Sequence, residues 1–280
     1  MEENNEKVSL KDVKGSQAFN IEDIYAINTA VVELPTRGVF YKNKKSTVTI
    51  KGYTTVEENM MTDENLIRSG NLLDKLLESV VVDKDVDWEN MLLSDKMAIV
   101  LAMRIQNEGA IYKANTVCPM CQTNQIQEID LSNSNIQEIG VDVVNGENSF
   151  EFVTPQGHTI KFRMLTNSDI KSAKEEQRSD EKNGIKMFGG QAVYLLSREI
   201  TAFKPSGQDE FIESKGIMKQ IIQRMPKEEL QAFRDYVNKI EPKLKSSYWF
   251  KCVTNNCEAN NNPIELPIPI NSISFFRPIR

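Results

Sequence analysis

Tyr112-Lys113-Ala114-Asn115-Thr116-Val117-Cys118-Pro119-Met120-Cys121 is matched much further along the chain by Tyr248-Trp249-Phe250-Lys251-Cys252-Val253-Thr254-Asn255-Asn256-Cys257. Each segment runs from an aromatic-led strand into a cysteine pair and a polar turn. A strand then resumes, at Ile126, Ile129 and Leu131 in the first and at Ile264, Leu266 and Ile268 in the second. This is the layout of a zinc knuckle, in which turn N–H groups can bond the thiolates while the pair takes two corners of a tetrahedron. Two such halves make one four-cysteine site, Cys118, Cys121, Cys252 and Cys257. The spacings, C-x2-C and C-x4-C, both fall within the range of structural zinc. Four thiolates argue against catalysis, because a catalytic zinc keeps an open or water-filled position. Two other readings of the same cysteines stay open: a degenerate site without metal, suggested by the wider second pair, and free thiols or a disulfide. A bound zinc would hold together the two ends of the long insertion between the pairs.

Outward from the cysteines, residues 1 to about 29 are polar and charged and read as a flexible arm. Val31, Val32 and Leu34 form a short strand. Pro35-Thr36-Arg37-Gly38 is a turn in which Gly38 can take a positive φ, and Val39, Phe40 and Tyr41 resume the strand. Thr47 to Ile50 alternates as a second strand, and Thr54 or Thr55 caps a helix. Leu72, Leu73, Leu76 and Leu77 make an apolar stripe. A further helix starts with Ser94 as N-cap and Asp95 in its first turn, and stops at Gly109. Phe150, Phe152, Ile160 and Phe162 suggest a hairpin around Gly157, and Asn167 or Ser168 caps a charged helix whose face reads as solvated. Helical patterns follow at Ala192 to Phe203, at Phe211 to Met225 and after Pro226, and the remainder from Ser247 reads as strand and turn.

Composition narrows function. With 40% hydrophobic and 26% charged residues the chain is that of a globular protein able to bury a sizeable core. Its net charge of -6 gives nucleic-acid phosphate little to hold, and the densest basic cluster, Lys42, Lys44 and Lys45, fits a hairpin turn. No apolar run approaches the roughly 20 residues of a membrane span. Met1 to Lys14 lacks the apolar core of a secretory signal, which places the protein in a reducing cytoplasm. The single histidine, His158, lies in the turn Thr154 to Thr159 and reads as a turn residue, and any histidine-based triad or relay would have to be built around it alone. Gly189-Gly190 lacks the Lys-Ser/Thr of a phosphate loop. Asp83, Asp85 and Asp87 alternate like a calcium loop, but Trp88 stands where that loop needs glycine.

Several motifs in order carry a family resemblance. Leu34-Pro35-Thr36-Arg37-Gly38-Val39-Phe40-Tyr41 is similar to an L-P-S-K-G-x-x-Y opening. Leu92, Leu93, Asp95 and Lys96 with Leu101, Arg104 and Ile105 resemble an L-x-x-x-D helix ending in a leucine–arginine step. A glycine, an aromatic strand, Cys118-Pro119-Met120-Cys121 and Ile129-Asp130-Leu131 follow. Met225-Pro226, Trp249-Phe250-Lys251-Cys252, Leu266-Pro267 and Phe275-Phe276-Arg277-Pro278 complete the set. From about Val32 to Pro278 the chain thus resembles the baseplate hub and hub-assembly proteins of T4-type contractile-tailed bacteriophages. The resemblance implies a non-catalytic protein that works through contacts with other hub and tail proteins, in the virion tail baseplate or in the host cytoplasm during assembly. The C-x4-C pair and the charged run from Lys171 to Asn183 depart from the family pattern.

The expectation is therefore an α+β fold. A small N-terminal β element and a helical bundle flank a split zinc ribbon, in four parts: an arm at 1–29, the β element, helices and first knuckle at 30–131, a hairpin plus helical insertion at 132–246, and the second knuckle and tail at 247–280. Zinc is the expected cofactor. An exposed Ile273-Phe275-Phe276-Pro278 segment is expected to dock partner subunits, the alternative being that it packs on its own core. A zinc-ribbon module that binds nucleic acid is the second functional reading. Against it stand the acidic charge and the lack of a basic stripe beside either knuckle.

Overall fold

A computed structural model describes residues 26–133, 135–136, 146–185, 187–245, 247–270 and 273–276. Most of the expected arm, and Pro278, lie outside the described residues. The fold is α+β, with 41% helix and 22% strand.

The first layer grows from alternation. Strand β1 (Thr29–Glu33) pairs antiparallel with β2 (Thr47–Lys51), and the inward positions Val32, Val48 and Ile50 are buried. Residues 36 to 43 do not resume a strand but run through successive turns, with Arg37 and Gly38 both at positive φ. A Cβ on Gly38 would lie 2.6 Å from the backbone of Lys44 and Lys45, so the turn closes only around a glycine. Helix α1 (Thr55–Met60) starts at a capping box of Thr54 and Glu57, α2 (Glu64–Ser69) is capped by Asp63, and α3 (Leu72–Val80) buries Leu76, Leu77 and Val80.

Helix α4 (Leu93–Glu108) is the spine. Ser94 is not its cap; the helix begins one residue earlier, behind Leu92, and Ser94 is buried. Asp95, in the first turn, serves a tertiary purpose. Its carboxylate accepts from the Thr36 N–H at 2.9 Å, the Thr36 hydroxyl at 2.5 Å and the Tyr41 hydroxyl at 2.5 Å. The Tyr41 oxygen in turn accepts from the Leu92 N–H at 3.1 Å. Burial raises the Asp95 carboxyl above its ordinary range despite these three donors. At the other end Arg104, 1% exposed, donates to Gly109 O at 2.9 Å and Ile111 O at 3.4 Å, which sets the direction of the strand that follows.

That strand, β3 (Ile111–Val117), forms a seven-residue antiparallel ladder with β4 (Asn124–Asp130). Beyond it β5 (Asn135–Ile136) leaves for a second layer and is paired by β9 (Leu244–Lys245) on the return, so both ends of the insertion meet at one short ladder. Between them β6 (Phe150–Val153), β7 (Thr159–Phe162) and β8 (Ile200–Lys204) make an antiparallel sheet in that order. Helices α5 (Asn167–Lys182), α6 (Gln191–Glu199), α7 (Lys215–Arg224) and α8 (Lys227–Ile240) accompany it. Apart from Leu92 and the partly buried Phe40, this second core is drawn from residues 150–240, with Phe162 and Phe233 at its centre.

Three local readings are corrected here. The cap of α5 is Thr166, whose capping box with Asp169 moves the start by one residue. Ala192 to Phe203 is not one helix: it turns at Ile200 into β8, because Ile200, Ala202 and Phe203 are needed to pair with β7 and fill the core. The charged face of α5 is only partly solvated, since Glu176 reaches Arg198 at 2.7 Å and Lys219 at 2.5 Å, and Asp180 accepts from the Tyr194 hydroxyl at 2.8 Å. Among the described residues no helix is long and apolar enough to cross a membrane.

Candidate metal centre

The β3–β4 ladder puts Tyr112, Ala114 and Thr116 on its buried face and delivers Cys118 directly past the end of β3. The chain then turns sharply: Cys118 N–H donates to Thr123 O at 2.9 Å, Gln122 N–H to Cys118 O at 2.9 Å, and Gln122 takes a φ of 60°. Cys121 is thereby swung to the outside. The second hairpin, β10 (Ser247–Phe250) with β11 (Ile264–Pro267), repeats the plan with a wider loop. There a helical turn, α9 (Glu258–Asn261), takes up the additional residues. Cys252 N–H donates to Ala259 O at 3.1 Å and the Asn260 side chain to Cys252 O at 2.6 Å, so the wider loop is closed from within.

The two knuckles face each other, as the split-ribbon reading requires. Cys118 and Cys257 sulfurs lie 3.7 Å apart, Cys121 and Cys252 sulfurs 3.5 Å apart, and all four fall within 4.8 Å of one another. Sulfurs about 2.3 Å from a tetrahedral zinc ion are separated by about 3.8 Å, so the cluster has the dimensions of a four-thiolate site. Cys118, Cys252 and Cys257 are buried and Cys121 is exposed, and none of the four is in a disulfide. The cluster is thus compatible with a bound metal ion.

Electrostatics divide the ligands. Burial pushes the Cys257 thiol up to about 12, whereas the Thr123 hydroxyl and N–H beside Cys121 draw that thiol down to about 6. At neutral pH a buried thiol such as Cys257 loses its proton to solvent readily only when a cation beside it holds the thiolate that results. The Thr254 N–H, 3.4 Å from the Cys252 sulfur, supplies the kind of turn donor that stabilises a bound thiolate.

Gln125 is the functional residue that sequence reading missed. It sits on the inward face of β4, 7% exposed, and its amide joins the hairpins by donating to Lys251 O at 2.8 Å and accepting from Val253 N–H at 2.9 Å. Its one available signal is a polar residue at a strand position whose alternation calls for an apolar one.

No protein-family model, curated protein or solved structure matches this chain.

The expected docking segment is corrected. Phe275 is 0% and Phe276 8% exposed in the short helix α10 (Ile273–Phe276). Phe275 meets the Tyr112 ring edge-on at 5.1 Å, and the Arg104 guanidinium lies 6.0 Å from its centre. These rings close the first core under β3, which removes them from a partner surface. His158 stays in its turn: its Nδ1 accepts from Ser206 N–H at 2.9 Å and its ring packs 5.2 Å from Phe203. The alternating aspartates are engaged too, with Lys45 3.3 Å from Asp83 and 2.7 Å from Asp85.

Proposed function

We propose that the four cysteines hold a zinc ion in a closed structural site, and that the chain is a non-catalytic component of a contractile phage tail baseplate hub, acting through protein contacts. The observation that carries the metal reading is the donor set, four sulfurs within 4.8 Å from two knuckles distant in sequence. Soft thiolates favour zinc over oxygen-seeking ions such as calcium or magnesium. Four protein ligands leave no position for water or substrate, so the ion's work is to tie residues 118–121 to residues 252–257.

The hub reading is supported by the order of the family-like motifs and by their contacts with each other. Thr36 and Tyr41 of the opening motif bond Asp95 of the helix motif. Arg104 of the leucine–arginine step lies against Tyr112 and against Phe275 of the closing motif. Motifs that are individually weak thus belong to one connected set of side chains.

Elemental analysis of the purified chain is expected to find zinc, lost together with thermal stability when Cys118 and Cys121 are both changed to Ser. A well-folded wild type free of zinc would overturn the metal reading. For the hub reading, the tagged chain is mixed with purified subunits of a contractile-tail baseplate hub and followed by co-sedimentation. A complex is expected; hub subunits that assemble normally and leave the chain in the supernatant would remove it.

A further inference from the structure

We propose that Cys121 is an oxidation site, and that its oxidation ends in a disulfide to Cys252 that joins the two knuckles covalently and expels the metal. The loss of metal rests on the zinc reading above; the disulfide does not. Three of the four sulfurs belong to buried residues, whereas Cys121 stands at the outer corner with Pro119, Met120 and Gln122 exposed around it. A small peroxide therefore reaches this sulfur first. The hydroxyls of Thr123 and Thr254 lie 3.2 and 3.9 Å from it, polar neighbours for an oxidised sulfur.

The partner follows from geometry. The two sulfur–sulfur contacts with hydrogen-bonding geometry each join opposite knuckles: Cys121 with Cys252 at 3.5 Å and Cys118 with Cys257 at 3.7 Å. The thiol that resolves an oxidised Cys121 is thus Cys252, across the ribbon, rather than Cys118 in its own turn.

The chemistry takes two steps. The Cys121 thiolate attacks a peroxide oxygen; an S–O bond forms, the O–O bond breaks, and the departing hydroxide takes a proton from solvent to become water. The Cys252 thiolate then attacks the sulfenic sulfur; an S–S bond forms, the S–O bond breaks, and a second hydroxide leaves as water. Two thiolates, one hydrogen peroxide and two protons give one disulfide and two waters, the sulfurs losing the two electrons that the peroxide gains. A disulfide sulfur is no longer an anionic donor, so half the tetrahedron is lost and the ion leaves. The covalent bond closes the same long loop that the metal closed, so the ribbon stays shut without its ion.

The test uses the full reduced chain. Zinc is measured first, hydrogen peroxide is added, released zinc is followed with a colorimetric chelator, and cross-links are mapped by non-reducing digestion and mass spectrometry. Expected are zinc release, a Cys121–Cys252 cross-linked peptide and reversal of both by dithiothreitol. A Cys118–Cys121 or Cys252–Cys257 bond, or zinc retained under peroxide, overturns the proposal. A chain without zinc at the outset overturns the metal reading and the expulsion built on it, while its cross-link map still decides the oxidation site. In Cys121→Ser, read by the digest and not by zinc because a ligand is missing, peroxide is expected to leave Cys252 reduced, and oxidation of Cys252 at the wild-type rate would overturn Cys121 as the point of entry; if that variant does not fold, the wild-type map alone decides.

Discussion

The joint at the start of α4 and the ribbon at the cysteines both fasten segments remote in sequence, but they are made of different material. At α4, Asp95 binds Thr36 and Tyr41 inside a large apolar core that includes Ile50, Leu76, Ile99 and Phe275. At the ribbon the buried cluster is Cys118, Phe250, Cys252, Cys257 and Ala259, mostly cysteines, with Tyr248, Ile264 and Leu266 against it. A core of that size stabilises little by burial alone, so on the proposed reading a metal would do there what apolar area does elsewhere. The difference teaches where to look for vulnerability: at α4 in the loss of a side chain, at the ribbon, on the proposed reading, in the loss of an ion.

The largest effect expected is removal of the ion. Structural zinc in isolated knuckles is worth on the order of 10 kcal/mol. Chelation or Cys252→Ser should therefore abolish hydrogen-exchange protection in 247–268 while residues 93–108 of α4 keep theirs. Equal loss in both regions would show that the two joints are one cooperative unit.

Asp95→Ala strikes the other joint. It leaves the Thr36 N–H and hydroxyl and the Tyr41 hydroxyl without their acceptor, and should cost about 3 kcal/mol in denaturant unfolding with zinc content unchanged. Loss of zinc in this variant would break the comparison.

Acid separates them further. Burial works against the Glu57 charge, yet bonds from Ser79, Thr54 and Lys51 hold the carboxyl down at about 2. A depressed acid contributes stability that is present above its unfolded value and is lost as pH falls from about 4.5 toward about 2. Stability of the first core should therefore drop by about 2 kcal/mol over that window, and Glu57→Gln should flatten the dependence. The smallest effect expected is Gln125→Ala, about 1 kcal/mol, from the unpaired Val253 amide, since the Lys251 carbonyl keeps its bond from the Gln127 side chain. It is read as a lower thermal midpoint with zinc retained.

Much was legible before any coordinates, and for a local reason. A threonine cap at Thr54 or Thr55, Gly109 after α4 and the hairpin around Gly157 are signals carried within a few residues of the features they make. The four cysteines were legible as one site because each pair stands on its own strand–turn–strand, whatever lies between. Asp95 was read as a first-turn acid, since nothing nearby announces that its partners are Thr36 and Tyr41. Phe275 and Phe276 look like an exposed tail by composition and are core by contact with Tyr112. Ile200 to Phe203 fits a helix or a strand equally over so short a span, and pairing with β7 decides it.

The sequence by itself determined which residues sit in a common turn, because turns, caps and strand alternation are set by neighbours along the chain. Only the tertiary structure decided that Cys121 meets Cys252 and Cys118 meets Cys257, with Cys121 left outermost. That choice depends on how two hairpins, separated by an entire second core, dock face to face, and docking is governed by the shape and burial of surfaces that no local spacing encodes.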